Sequence, residues 1–138
     1  MGVRRLRSIE EMNTDDEIRR AAKAAPGLRL LVLHGSRARG HAREHSDWDF
    51  AFRGEPGFDA DALLVQLAEA VDSDALDLAD LDRASGLLRF GAASDGIAVF
   101  ESEPGAFAQF RLDSISNWCD MAPVLGPAYD DRLARLAR

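Results

Sequence analysis

The chain is poor in cysteine: Cys119 is the single one among 138 residues. No disulfide can form within the chain, and a lone thiol suits a reducing compartment, so a cytoplasmic setting is expected. Positive charge is also in short supply, with 17 Lys and Arg against 24 Asp and Glu and a net charge of −7. A nonspecific grip on nucleic acid needs a basic face, so stable nucleic-acid binding is not expected. The same balance leaves phosphorylated small molecules open, because cations can stand between carboxylates and phosphates. No apolar run approaches the length of a membrane span, and no secretory leader is read at the N-terminus. Neither an internal repeat nor a low-complexity linker interrupts the chain. The Arg4, Arg5 and Arg7 cluster reads as a solvated tail.

What is present is ordinary globular material, 46% hydrophobic and 30% charged, in a length that suits one domain over residues 1–138 with a real core. Thr14-Asp15-Asp16-Glu17 reads as a capping box. Ile18, Ala21, Ala22 and Ala25 follow as one helical face, which Pro26-Gly27 ends. Leu28 to Leu33 is a nearly unbroken apolar run of strand length, the pattern of a central strand. A Gly35-Ser36 turn follows directly. Asp47 to Phe52 reads as a second strand, with Trp48, Phe50 and Phe52 on one face and Asp47, Asp49 and Ala51 on the other. Asp59 caps a helix that carries Leu63 and Leu67. Leu76 to Leu81 alternates as a third strand. Leu87, Leu88 and Phe90 mark a short helix, Ser94-Asp95-Gly96 a turn, and Ile97 to Phe100 a fourth strand. Beyond Pro104, the residues Phe107, Phe110, Arg111, Ile115 and Trp118 form a helical stripe. Tyr129 to Arg138 reads as a last short helix. The expected class is α/β (α+β), a mixed sheet flanked by helices.

The chemistry concentrates between His34 and Phe50. Asp47 and Asp49 stand two apart on a strand, so both carboxylates leave the same face. Like charges so close repel, and a shared hard divalent cation relieves that. A third carboxylate from a neighbouring strand would complete such a site. Asp77 shares its face with Ala79 and Leu81, Asp80 shares the other with Leu76 and Leu78, and spacing alone does not choose between them. At the other end of the segment, Gly35 lets backbone approach a ligand closely. Ser36 adds a hydroxyl and an N–H where a short helix begins, a setting that suits phosphate oxygens. Arg39, one turn on, can reach the same anion with a forked contact. A phosphate grip beside a metal grip describes a site for a nucleoside triphosphate with Mg²⁺.

The order Gly35-Ser36, ten residues, Asp47-x-Asp49 resembles the signature of the polymerase-β-like nucleotidyltransferase superfamily. "GSRARG" and "SDWDF" are similar to the small members called minimal nucleotidyltransferase, or MNT, domains. The likeness continues through "LDLADLDRASGLLRF", "IAVFES" and "FAQFRLDSISNWCDMAPVL", and spans a core of about residues 28–125. It implies the polymerase-β-like fold, with Asp47 and Asp49 holding two Mg²⁺ ions and Asp77 as the third, catalytic carboxylate. It further implies that Gly35 and Ser36 bind the triphosphate of ATP and that Arg39 contacts phosphate oxygens. The reaction would be attack of a hydroxyl on the α-phosphorus, with pyrophosphate leaving.

The resemblance also implies a partner. Small MNT proteins are paired with a HEPN-domain toxin, an RNase that the antitoxin silences by moving AMP from ATP to a toxin tyrosine. A non-catalytic antitoxin that neutralises by binding, and an aminoglycoside-like small-molecule nucleotidyltransferase, are the alternatives. His34 reads as a locally bonded polar residue at a strand end. Trp48 reads as core packing behind the metal site or as a limit on acceptor access. Cys119 reads as a small core residue on a helix. Phe107, Phe110 and Trp118 read as core. His41 and His45 lack partners at zinc spacing. Along with Arg37 and Arg43 they are surplus to both grips, and partner recognition is the reading for them.

Overall fold

The computed structural model describes residues 8–40 and 46–125, with side chains through Asp120. The Arg4–Arg7 tail, His41, Arg43, His45 and the helix expected over residues 129–138 lie outside the described residues. The first helix, α1, runs Ile9–Ala24, two turns earlier than the Thr14 capping box implied. Ser8 and Glu11 form the box instead: the Glu11 N–H donates to Ser8 Oγ at 3.1 Å and the Ser8 N–H to Glu11 Oε2 at 3.2 Å. Both S/T-x-x-E segments match the capping pattern, and the upstream one adds intrahelical bonds. Thr14 then falls mid-helix, where its hydroxyl donates to the Glu10 carbonyl at 3.0 Å.

Strand β1 (Leu28–His34) is central, antiparallel both to β2 (Trp48–Gly54) and to β4 (Ile97–Glu101). Strand β3 (Leu76–Asp80) lies parallel to β2, giving the order β3-β2-β1-β4. That parallel pair needs a crossover, and α3 (Ala60–Val71), capped by Asp59, supplies it. Burial on both faces explains why β1 is an apolar run without alternation. A register irregularity between Leu28 and Leu30 sets Leu28 on the same side as Leu31.

On one face of the sheet, Ile18 and Ala22 of α1 and Leu63 and Leu67 of α3 pack on Leu31, Phe50 and Phe52. On the other, Leu30, Val32, Ala51 and Leu81 meet α4 (Gly86–Asp95) and α5 (Ala106–Leu125) through Ala92, Ala93 and Phe110. The mixed sheet between helical layers is the expected architecture. Helix α4 extends through Ser94 and Asp95, where a turn was expected, and stops only at Gly96. A Cβ at Gly96 would collide with the Ala92 carbonyl, so this end of the helix closes around a residue without a side chain.

Glu101 accepts the Phe107 N–H at 2.8 Å, placing a carboxylate at the electropositive start of α5. The buried stripe of α5 is Phe110, Ser114 and Trp118. Arg111 belongs to the solvent side, with its guanidinium 5.6 Å from the Phe107 ring. Cys119 is exposed rather than core, because one step past Trp118 turns it about 100° away from the stripe. No helix among the described residues is long and apolar enough to cross a membrane.

The two capping readings separate by mutation. Ser8→Ala should lower stability by about 1 kcal/mol, whereas Thr14→Ala should leave the urea midpoint nearly unchanged. Equal losses for both would restore Thr14 as the cap.

Candidate nucleotide and metal site

The site forms where β1 ends and β2 begins. Gly35 opens a single helical turn, α2 (Gly35–Ala38), at a φ of 72°, in the left-handed region. The turn passes directly over Asp49, and a Cβ on Gly35 would collide with the Asp49 carboxylate. Glycine is thus required twice, for its backbone angle and for the space. The same contact brings the two halves of the Gly-Ser-x(10)-Asp-x-Asp segment together.

Register sets the two candidate third carboxylates apart. Asp49 lies opposite Asp77 across the parallel β2–β3 pair, and Ala51 lies opposite Ala79. In-register neighbours share a face at a strand spacing of about 4.8 Å. Ala51 and Ala79 both pack toward α4 and α5, so Asp49 and Asp77 point to that side. Asp80 pairs instead with Phe52, whose face meets α1 and α3. Its Oδ1 accepts the Asp82 N–H at 2.9 Å and its Oδ2 lies 3.8 Å from Arg83 Nε, so it is absorbed in the turn that ends β3. Asp47, exposed, sits one residue before β2.

Burial raises the Asp49 carboxyl above the usual carboxylate range. Like charges on Asp77 and Asp47 push the same way, while His34 and Arg39 oppose. Among the described residues no three His, Cys, Asp or Glu side chains are drawn together as a metal cluster. In kind, the donor set still fits a hard divalent cation: carboxylate oxygens only, on one face, with a mutual repulsion that a cation would relieve.

Arg39 follows α2, and its Nη1 lies 3.9 Å from Asp95 Oδ2 at the end of α4. An acid at the electronegative end of a helix is unfavourable by itself, and the nearby guanidinium offsets that. The sequence placed Asp95 in a turn, and its pairing with distant Arg39 left no local signal.

His34 does more than end a strand. It registers with Asp49 across β1–β2. Burial lowers its pKa, opposed by the Asp49 and Asp77 carboxylates and by a hydrogen bond with the Phe50 backbone. The neutral ring is thereby favoured at the floor of the site. Strand alternation, which puts residue 34 on the side of Val32, was the signal for this placement.

Arg37 and Trp48 explain each other. The Arg37 guanidinium lies 4.0 Å from the centroid of the Trp48 ring, and its Nε and Nη2 donate to the Ser46 carbonyl at 3.2 and 2.7 Å. Trp48 in turn stacks on buried Phe50, with centroids 5.9 Å apart and 5° between planes. The indole packs behind the carboxylates, as its strand parity required. The arginine fastens α2 to the residue just before Asp47, tying the Gly35-Ser36 end of the segment to its Asp47-Asp49 end.

Gly35→Ala should cost at least about 1–2 kcal/mol of stability from the left-handed angle alone, with the collision added. Gly35→Ser should behave alike in thermal unfolding, and wild-type stability in either variant would contradict the contact with Asp49. Arg37→Ala and Trp48→Leu should show a coupling of roughly 1 kcal/mol in a double-mutant cycle of unfolding free energies. Strict additivity would dissolve the clamp.

Comparison with known proteins places this geometry in a family. The model of the family described as polymerase beta, nucleotidyltransferase, matches residues 16–104. A protein adenylyltransferase MntA from Aphanizomenon flos-aquae is 31% identical over 99 residues, 62% of this chain and 65% of that protein. The chain therefore spans slightly less than two thirds of that relative's length. A chain in a crystal structure of a toxin–antitoxin complex with AMP-PNP superposes with a TM-score of 0.66 at 26% identity, covering 86% of this chain and 98% of its own. A chain in a complex of a tri-AMPylated Shewanella oneidensis HEPN toxin with an MNT antitoxin shares the fold at a TM-score of 0.63 and 23% identity, over 91% of this chain and 99% of its own. The mixed sheet, the Gly35 turn laid over Asp49 and the family match across residues 16–104 together make this chain a member of the polymerase-β nucleotidyltransferase family.

Proposed function

We propose that this chain is an antitoxin that transfers AMP from ATP to a tyrosine hydroxyl of a cognate HEPN-domain toxin. The observation that carries the proposal is the meeting of Gly35, Asp49 and Asp77 on one face, the phosphate turn directly against in-register carboxylates. The likeness to an MntA adenylyltransferase and to a toxin–antitoxin complex holding an ATP analogue supports the choice of donor, reaction and partner.

In this reading Gly35 and Ser36 hold the triphosphate through backbone and hydroxyl, and Arg39 steadies phosphate oxygens with a forked contact. Asp47, Asp49 and Asp77 would hold two Mg²⁺ ions. Bound there, the ions supply charge neutralisation at the α-phosphorus and the leaving pyrophosphate. Asp77, on the neighbouring strand, would take the proton from the attacking hydroxyl. His34, favoured neutral beneath Asp49, adds no positive charge that would compete for the carboxylates. Trp48 lies on the opposite face of β2 from Asp49, so it does not stand between the carboxylates and an acceptor.

The test incubates the protein with labelled ATP, Mg²⁺ and the product of the adjacent gene, tested first for the HEPN Arg-x(4–6)-His motif. Label should move to the partner, and an Asp47→Ala/Asp49→Ala variant should lose that transfer by a factor of roughly a thousand or more. Asp77→Asn should lose activity where Asp80→Asn keeps it. If the double variant still neutralises toxicity and wild type transfers no label, the protein acts by binding alone.

A further inference from the structure

Away from the carboxylates, a cleft of about 250 Å³ lies between α4 and α5, lined by Gly86, Arg89, Ser114, Asn117, Trp118 and Asp120. Two of its polar groups are out of place. The Ser114 hydroxyl is on a residue only 3% exposed and has no hydrogen-bond partner. The Nε of Arg89 is buried and equally without a partner. Buried donors are normally satisfied, so two in one cleft point to an acceptor from outside. The contrast with other arginines is sharp: Arg19, Arg20, Arg39, Arg53 and Arg83 each lie 2.7 to 3.9 Å from a carboxylate oxygen. In a chain with seven more acids than bases, counter-charge is not scarce.

We infer that this cleft binds a carboxylate. Arg89 and Ser114 offer a charge-assisted and a neutral donor, a match for the two oxygens of one carboxylate. Gly86 adds the first turn of the ten-residue helix α4, whose N–H groups favour negative charge. Ser85 already caps the Leu88 N–H, so only the earlier donors of that turn are available. Asp120 contributes a negative charge to the lining, which disfavours a phosphate dianion and sets the site apart from that for ATP. The carboxylate comes either from a free small acid or from an acidic side chain of a docked protein.

The test is a titration of the ¹⁵N-labelled full chain, following the Arg89 Nε–H and Trp118 indole N–H resonances at constant ionic strength. The probes are sodium acetate, sodium phosphate and a short peptide with one internal glutamate. Acetate or the peptide should shift both resonances saturably, and phosphate should bind more weakly. Tighter binding of the peptide assigns the site to a protein side chain, and equal or tighter binding of acetate assigns it to free acids. Ser114→Ala should weaken the interaction and Arg89→Gln should weaken it roughly tenfold or more, with otherwise unchanged spectra showing that both variants fold. Absence of a saturable shift, binding that survives Arg89→Gln, or preference for phosphate would each overturn the inference. None of these readouts depends on adenylyl transfer.

Discussion

Gly35 and Asp49 meet so closely that no side chain can stand between them, and the site is organised around that contact. It fixes where the chain leaves β1, because only a left-handed residue can turn there without strain. It also fixes where β2 must enter, since Asp49 has to lie beneath the turn in register with His34. The central, doubly buried β1 makes this possible: a strand anchored on both faces by Leu30, Leu31 and Val32 has little freedom to slide.

His34, Arg37 and Arg39 arrange themselves around that junction. Arg37 holds the Ser46 carbonyl and lies on Trp48, which ties α2 to the start of β2. Arg39 meets Asp95 from α4, and His34 lies against Asp49 from β1. The Asp49 carboxylate is thus approached by both the Arg39 guanidinium and the half-buried His34 imidazole. Asp77 and Asp47 act the other way, each pushing the Asp49 carboxyl further up beyond the effect of its burial.

The fold was legible in the sequence where a short-range rule applied. Alternation on β2 separated Asp49 from Trp48, and the unbroken Leu28–Leu33 run marked the central strand correctly. Legibility failed where two local rules competed. The Ser8 and Thr14 capping patterns are equally good on paper, and the longer helix prevailed. Cys119 was misplaced because a thiol is as compatible with core as with surface, and only the packing of Phe110, Ser114 and Trp118 shows which side of α5 is buried. Asp95 was hidden because its significance depends on Arg39, 56 positions earlier in the chain.

By itself the sequence determined the four strands, the parity of each and the Gly-Ser-x(10)-Asp-x-Asp order, because these follow from backbone periodicity and near-neighbour chemistry. It could not choose between Asp77 and Asp80, which lie on opposite faces of one strand and read equally well. Tertiary structure separates them through a single parallel register, Asp49 beside Asp77 and Phe52 beside Asp80. Register between strands joined by a helix is set by the two cores they jointly bury, a property of the packed sheet and not of either strand.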